Sequence, residues 1–352
     1  MKNTSLVSLR LQQQQISRHD LTRPEQLVEY MVAMQAQEYA MAKWAIGLRL
    51  PKCTDAVVEK AFNDGKILRT HLLRPTWHFV APADIRWLLM LTAPRVKIVN
   101  GFTYRQQQMD AALFRKSHAV IEKALEGGKF LTRRDLQEAL KKKKIIADGV
   151  KLSALMMEAE LDGLICSGPR QGKQFTYALL EERVPPVRRP DRKDALAMFG
   201  LRYFSTRGPA SVQDFAYWSG LTLKDAKDAA GSLPSAFIKE KIDGIEYIID
   251  PGHSPAKLTG TASFLMPVYD EFGMSYKNRS AILNPAIGSN EYLTFNNLFV
   301  IRGQIAGGWR REEQGKEMKV ETSPFIKLNA QQSKELTKAV VQFRKFSGKG
   351  EK

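Results

Sequence analysis

The side chains here that could do chemistry fall into three groups. Asp270 and Glu271 stand together in VYDEF and are a possible source of a catalytic carboxylate, though their apolar neighbours read more simply as a buried structural strand end. In RPTWHFV, strand alternation puts Arg74, Thr76 and His78 on one face and Trp77 and Phe79 on the other, the aromatics as core. A hairpin presenting Arg74 beside His78 could touch a phosphate. The third group is charge: from Lys129 to Lys151 eight Lys or Arg stand against Asp135, Glu138 and Asp148, and the run Lys141, Lys142, Lys143, Lys144 is unbroken. Taken alone, such a run reads equally as a solvated face. No His, Asp and Glu cluster has metal-ligand spacing, and the Gly-rich fragments do not form a phosphate loop. Cys53 and Cys166 are too few for a disulfide framework or a cysteine-based zinc site. Neither a metal nor a cofactor is expected.

The whole chain repeats the message of the lysine run. Its 352 residues carry 54 Lys and Arg against 37 Asp and Glu, a net charge of +17, while 43% are hydrophobic. That fraction places the excess charge on a folded chain, so a polyanion is the first partner to expect. The opening MKNTSLVSLR lacks the apolar core of a secretory signal, which makes the cytoplasm the expected compartment. No apolar stretch approaches the ~18 residues of a membrane span, since even Phe79 to Leu91 contains Asp84 and Arg86.

The elements that must position these groups follow a repeated order. Thr22-Arg-Pro-Glu25 reads as a capped helix start, with a helix from 23 to about 34. A second helix runs through Trp44 and Leu48, and a third starts after Thr54-Asp55 and ends near Asn63-Asp64-Gly65. Two short strands around Arg74-Pro75 and a helix near Asp84 come next. A second copy begins at a Thr132 cap, continues through a helix carrying Leu152, Leu155, Met156 and Ala159, and closes with LICSG and QFTYALL about a turn. A third starts at Ser211-Val-Gln-Asp214, restarts at Thr222-Leu-Lys-Asp225, and ends in a hairpin turning at Asp243-Gly244. Helices followed by a hairpin are the pattern of a winged helix. The expected fold is therefore α+β, with three tandem winged-helix units over 1–100, 101–185 and 191–255 and a β-rich part over 256–352. The Pro-rich VPPVRRPDRK is an exposed connection, FLMPVYD, NLFVIRG and QIAGGWR are strands, Gln331 to Phe346 is a helix, and the terminal GKGEK is frayed.

Four segments then point to a family. MQAQEYAMAKWAIGLRL, LRTHLLRPTWHFVAP, FLMPVYDEFGMSYKNRS and GQIAGGWRRE resemble, in order, the landmarks of the winged-helix DNA glycosylases typified by AlkZ and YcaQ. That family excises alkylated bases or unhooks DNA crosslinks through a short Gln-containing motif. The resemblance places the motif at Gln35-Ala36-Gln37, the version with a second Gln rather than an Asp, and implies that Gln35 and Gln37 are catalytic. It also implies double-stranded DNA with alkylated bases as partner, and a monomer is expected. Asn278 departs from the pattern, since relatives commonly carry an acid there.

The chemistry is consistent with two amides. A purine alkylated at N7 is cationic and already a good leaving group, so its release needs little acid catalysis. A Gln oxygen can orient water and stabilise the developing sugar cation, while its NH2 holds a phosphate or base edge. Residues two apart diverge on a helix but share a face when extended. The helix begun near Arg23 should therefore end or distort around Gln35, with EYAMAKWAIGL as a separate element. The alternative function is a non-enzymatic winged-helix DNA-binding regulator, which would bind unmodified duplex and release no base.

Overall fold

The computed structural model describes residues 3–187, 190–287, 296–315 and 317–351. The chain divides into two compact units, one formed by Met1–Glu59, Ala197–Trp218 and Thr222–Lys352, the other by Lys60–Leu196 with Ser219–Leu221.

After α1 (Asn3–Gln13), α2 (Pro24–Met31) begins at the expected proline. Thr22 is not its cap, because Arg23 occupies that position and makes no side-chain cap bond. The helix stops at Met31 rather than near 34, and the chain becomes extended in β1 (Ala33–Gln35). α3 (Tyr39–Arg49) and α4 (Asp55–Asn63) follow, then the antiparallel pair β2 (Leu68–Leu72) and β3 (Thr76–Val80). α5 (Pro82–Gln106) is long, and residue 100 lies inside it.

The order helix, short strand, helix, helix, strand, strand then recurs. It comprises α6 (Ala111–Leu125), β4 (Leu131–Thr132), α7 (Arg133–Lys142), α8 (Gly149–Leu161), β5 (Ile165–Ser167) and β6 (Thr176–Leu179), with sheet order β4-β6-β5. The Thr132 hydroxyl and the Asp135 carboxylate cap α7 reciprocally, which directs Leu136 and Leu140, one helical turn apart, inward. They join Ile121, Leu125, Leu155 and Ile165 in one core cluster. After α9 (Leu180–Arg183) comes the Pro-rich connection, of which residues 188 and 189 lie outside the described residues.

A third pass runs through α10 (Arg192–Arg207), α11 (Val212–Ser219), α12 (Leu223–Gly231), β7 (Ile238–Ile242) and β8 (Ile245–Ile249). An isolated bridge from Ala210 to Ile248 stands where the short strand stood before. The expected caps are present: Asp214 N–H donates to Ser211 Oγ at 3.1 Å, and Asp225 N–H to Thr222 Oγ1 at 3.1 Å. Asp243 and Gly244, with φ of 49° and 79°, form the tight turn that this dipeptide favours.

The C-terminal part holds β9 (Phe264–Met266), α13 (Glu271–Met274), β10 (Leu298–Ile301), β11 (Gln304–Gln314), β12 (Glu317–Pro324), α14 (Ala330–Ser347) and β13 (Gly350–Glu351). These strands form one sheet in the order β13-β12-β11-β10-β9. The strand expected over FLMPVYD ends at Met266, because Pro267 lacks an N–H and Tyr269, at φ 61°, turns the chain toward α13. The tail is not frayed where it was expected to be, since Gly350 and Glu351 pair in parallel with Glu317 and Met318.

Candidate active site

The segment that carries Gln35 and Gln37 is made by an abrupt helix end. Val32 caps α2 with φ 65° and ψ −56°, a backbone conformation that a β-branched residue rarely adopts. Such a residue stores on the order of 1–3 kcal/mol and persists only where its surroundings hold it. The three residues after it are extended, Gln35 is buried, Gln37 is exposed in the bend that follows, and α3 begins at Tyr39. The break expected between two helices is thus present at the glutamines.

The acidic pair lies in the same compact unit as the glutamines, and Glu271 touches one of them: Gln35 N–H donates to Glu271 Oε1 at 2.9 Å. The second oxygen, Oε2, accepts from Trp218 Nε1 at 2.8 Å, Ser275 Oγ at 2.7 Å and Arg207 Nη2 at 3.1 Å. Arg207 also reaches back to the strand, donating from Nη2 to Ala33 O at 2.8 Å. Asp270 is held separately by Arg49, whose Nη1 and Nη2 lie 2.8 and 3.0 Å from its two oxygens, and it accepts Phe272 N–H at 2.8 Å as the cap of α13. Both carboxylates are buried, ion-paired and engaged by several donors, so neither is placed as a general base for water. The pair does not form the strand end expected of it, since β9 stops at Met266, but begins a short helix. Sequence reading missed Arg49 and Arg207. Arg49 carried a weak signal, a charge set in the apolar run IGLRL, whereas Arg207 in FSTRGP carried none.

The remaining candidates belong to the other unit. His78 is fully buried, its Nδ1 3.0 Å from Thr76 O. Arg74 is half-buried in the turn between β2 and β3. Trp77 is not core as expected but half-buried, with the His71 ring 4.4 Å away and the Arg69 guanidinium 4.3 Å from its centroid. It lines a groove of about 600 Å³ with Arg69, Arg133, Arg134, Lys173 and Phe175. Lys141 to Lys144 are all exposed at the end of α7, where their charge complements the helix dipole. Asn278 belongs instead to the unit that bears the glutamines, and its Oδ1 accepts Ser280 N–H at 2.9 Å.

Other nucleophiles are placed unfavourably. Burial pushes the Cys53 thiol up to about 11 and the Cys166 thiol up to about 12, far from the thiolate that nucleophilic attack requires. Lys43 is a buried lysine, but its Nζ sits 2.7 Å from both Asp55 Oδ2 and Glu59 Oε2, which holds it as a structural ammonium. Among the described residues no group of three or more His, Cys, Asp or Glu could hold a metal ion, and no helix is long and apolar enough to cross a membrane.

Comparison with known proteins identifies relatives of this chain and of its fold. The chain is 22% identical, over 226 residues, to an interstrand DNA cross-link repair glycosylase of Streptomyces sahachiroi, a match covering 60% of this chain and 59% of that protein. Its fold matches that of the solved structure of Streptomyces sahachiroi DNA glycosylase AlkZ with a TM-score of 0.81 at 18% identity, covering 100% of this chain and 98% of the other. The family model of AlkZ-like DNA glycosylases matches residues 28–346, from within α2 to the end of the terminal helix, and the chain therefore belongs to the AlkZ-like DNA glycosylase family.

Proposed function

We propose that this protein is a monofunctional DNA repair glycosylase that hydrolyses the N-glycosidic bond of cationic, N7-alkylated purines, with Gln35 and Gln37 as its catalytic residues. The observation that carries the reading is the helix break at the glutamines, where Gln35 closes a short extended segment and Gln37 sits in the bend after it, beside carboxylates already committed to arginines. The amide oxygens orient water toward C1′ and stabilise the sugar cation as the C1′–N9 bond breaks. The bonding pair leaves with the base and neutralises its positive charge. Water adds at C1′, its proton passes to solvent, and an abasic site remains. The committed ion pairs of Lys43 argue against that buried lysine as a Schiff-base nucleophile. The name of the Streptomyces sahachiroi relative makes crosslinked purines a second substrate to test.

We further propose that the three passes of helices and hairpin are winged-helix units that hold duplex DNA, a monomer sufficing. Arg74 and Lys141 to Lys144 would contact phosphates, and the cation-lined groove beside Trp77 supports the same reading. His78, being buried, would support its strand rather than meet a phosphate. Incubating the purified protein with a duplex containing N7-methylguanine, then cleaving abasic sites with alkali, tests the activity. Specific binding to unmodified duplex without base release would instead support a regulator.

Binding should weaken steeply with salt, because each neutralised phosphate adds about 0.9 to the log-log slope. Reversing the charges of Lys141 to Lys144 should flatten that slope. An unchanged slope in a fluorescence-anisotropy titration would assign the run to the solvated face.

A further inference from the structure

We infer that Arg207 and Glu271 are positioning residues, a buried ion pair that grips Ala33–Gln35 by its edge and sets the aim of Gln35. This inference rests on the glutamine reading above. In an extended strand the C=O of one residue and the N–H of the residue two further on point to the same edge. Here those groups are Ala33 C=O, which accepts from Arg207 Nη2 at 2.8 Å, and Gln35 N–H, which donates to Glu271 Oε1 at 2.9 Å. Two side chains thus supply a donor and an acceptor as a neighbouring strand would.

The pair is itself fixed. Trp218 Nε1 and Ser275 Oγ both donate to Glu271 Oε2, Ser275 Oγ accepts from Arg207 Nε at 3.0 Å, and the guanidinium lies 4.2 Å from the centroid of the Trp218 ring. Arg207, Glu271 and Ser275 are all buried. The grip falls directly after Val32, whose unfavourable backbone needs an external hold. Asp270 and Arg49 provide an internal comparison: the pair is equally buried, Asp270 is the sequence neighbour of Glu271, and Arg49 bonds to Ala45 O and Gln14 Oε1 rather than to the strand.

Arg207→Lys and Arg49→Lys should be compared in hydrogen exchange of segment 33–37 and in single-turnover release of N7-methylguanine from saturating duplex. Arg207→Lys should raise exchange in 33–37 and slow release about fivefold, or ~1 kcal/mol, relative to Arg49→Lys, with duplex affinity equal in both. Ser275→Ala, which removes one brace from each partner, should shift both readouts in the same direction by less, and it decides the matter if Arg207→Lys does not fold. Equal exchange in the two arginine variants overturns the clamp, whatever Gln35→Ala does. A loosened segment with unslowed release overturns the positioning role, and Gln35→Ala then shows whether the glutamine reading falls with it.

Discussion

Replacing Gln35 or Gln37 by alanine should leave a folded protein whose single-turnover release of N7-methylguanine is slower by at least about tenfold, roughly 1.4 kcal/mol of lost transition-state stabilisation. Affinity for intact duplex should change little, because neither amide carries charge and the phosphate contacts stay in place. Gln37 is exposed, so its truncation leaves no cavity. Gln35 is buried but holds Glu271 through its main-chain N–H, which alanine retains. The wild type should leave unmodified guanine and adenine untouched, since no strong acid is set to protonate a neutral leaving base. Wild-type release rates in both variants would falsify the glutamine mechanism. So would efficient excision of a neutral base that depends on Asp270 or Glu271, which would move the reaction to a carboxylate.

Trp44→Ala should produce the largest loss of stability, about 3–5 kcal/mol as for other buried tryptophans, read as a lowered urea midpoint. The Trp44 ring is almost fully buried, and its centroid lies 5.0 Å from that of Phe343 and 5.3 Å from that of Phe346 on α14. Its Nε1 donates to Leu265 O at 2.8 Å, so truncation also strands a buried carbonyl. The contact is close because Gly47, one turn along α3, has no side chain: a Cβ there would fall 2.2 Å from Phe346. Trp44→Phe should cost less. A loss below about 1 kcal/mol for Trp44→Ala would mean that α14 does not anchor α3, the helix that follows the glutamines.

What could be read from the sequence was local. Thr132, Ser211 and Thr222 announce their helices because a hydroxyl before a helical run satisfies N–H groups only three residues away. The turn at Asp243-Gly244 is legible for the same reason, since its residues decide it alone. The break at Gln35 was foreseen from the need for two residues two apart to share a face. Its cause was not, because nothing in the run of Leu27, Val28 and Val32 says that a valine will take a left-handed backbone. The partners of Arg49 and Arg207 are illegible for a different reason: they meet their acids across 221 and 64 residues, and no local pattern encodes such a pairing. Trp77 was misplaced because strand alternation distinguishes two faces without saying that an arginine and an imidazole will flank one ring.

The interleaved order of the two units sets the timetable of biosynthesis. The residues from Lys60 to Leu196 emerge as one continuous stretch and can collapse on themselves while the ribosome is still at work. The unit that bears the glutamines has no such opportunity, because its opening segment must wait for the far end of the chain. Trp44 meets its partners on α14 only after roughly 300 further residues are made, on the order of 15 to 60 s at ordinary elongation rates. Throughout that interval the apolar face of α3 lacks its cover. Gln35 is thus synthesised long before α14 and is among the last residues of its unit to be set in place, so a nascent chain cut short before Phe343 would carry the whole glutamine motif without the framework that aims it.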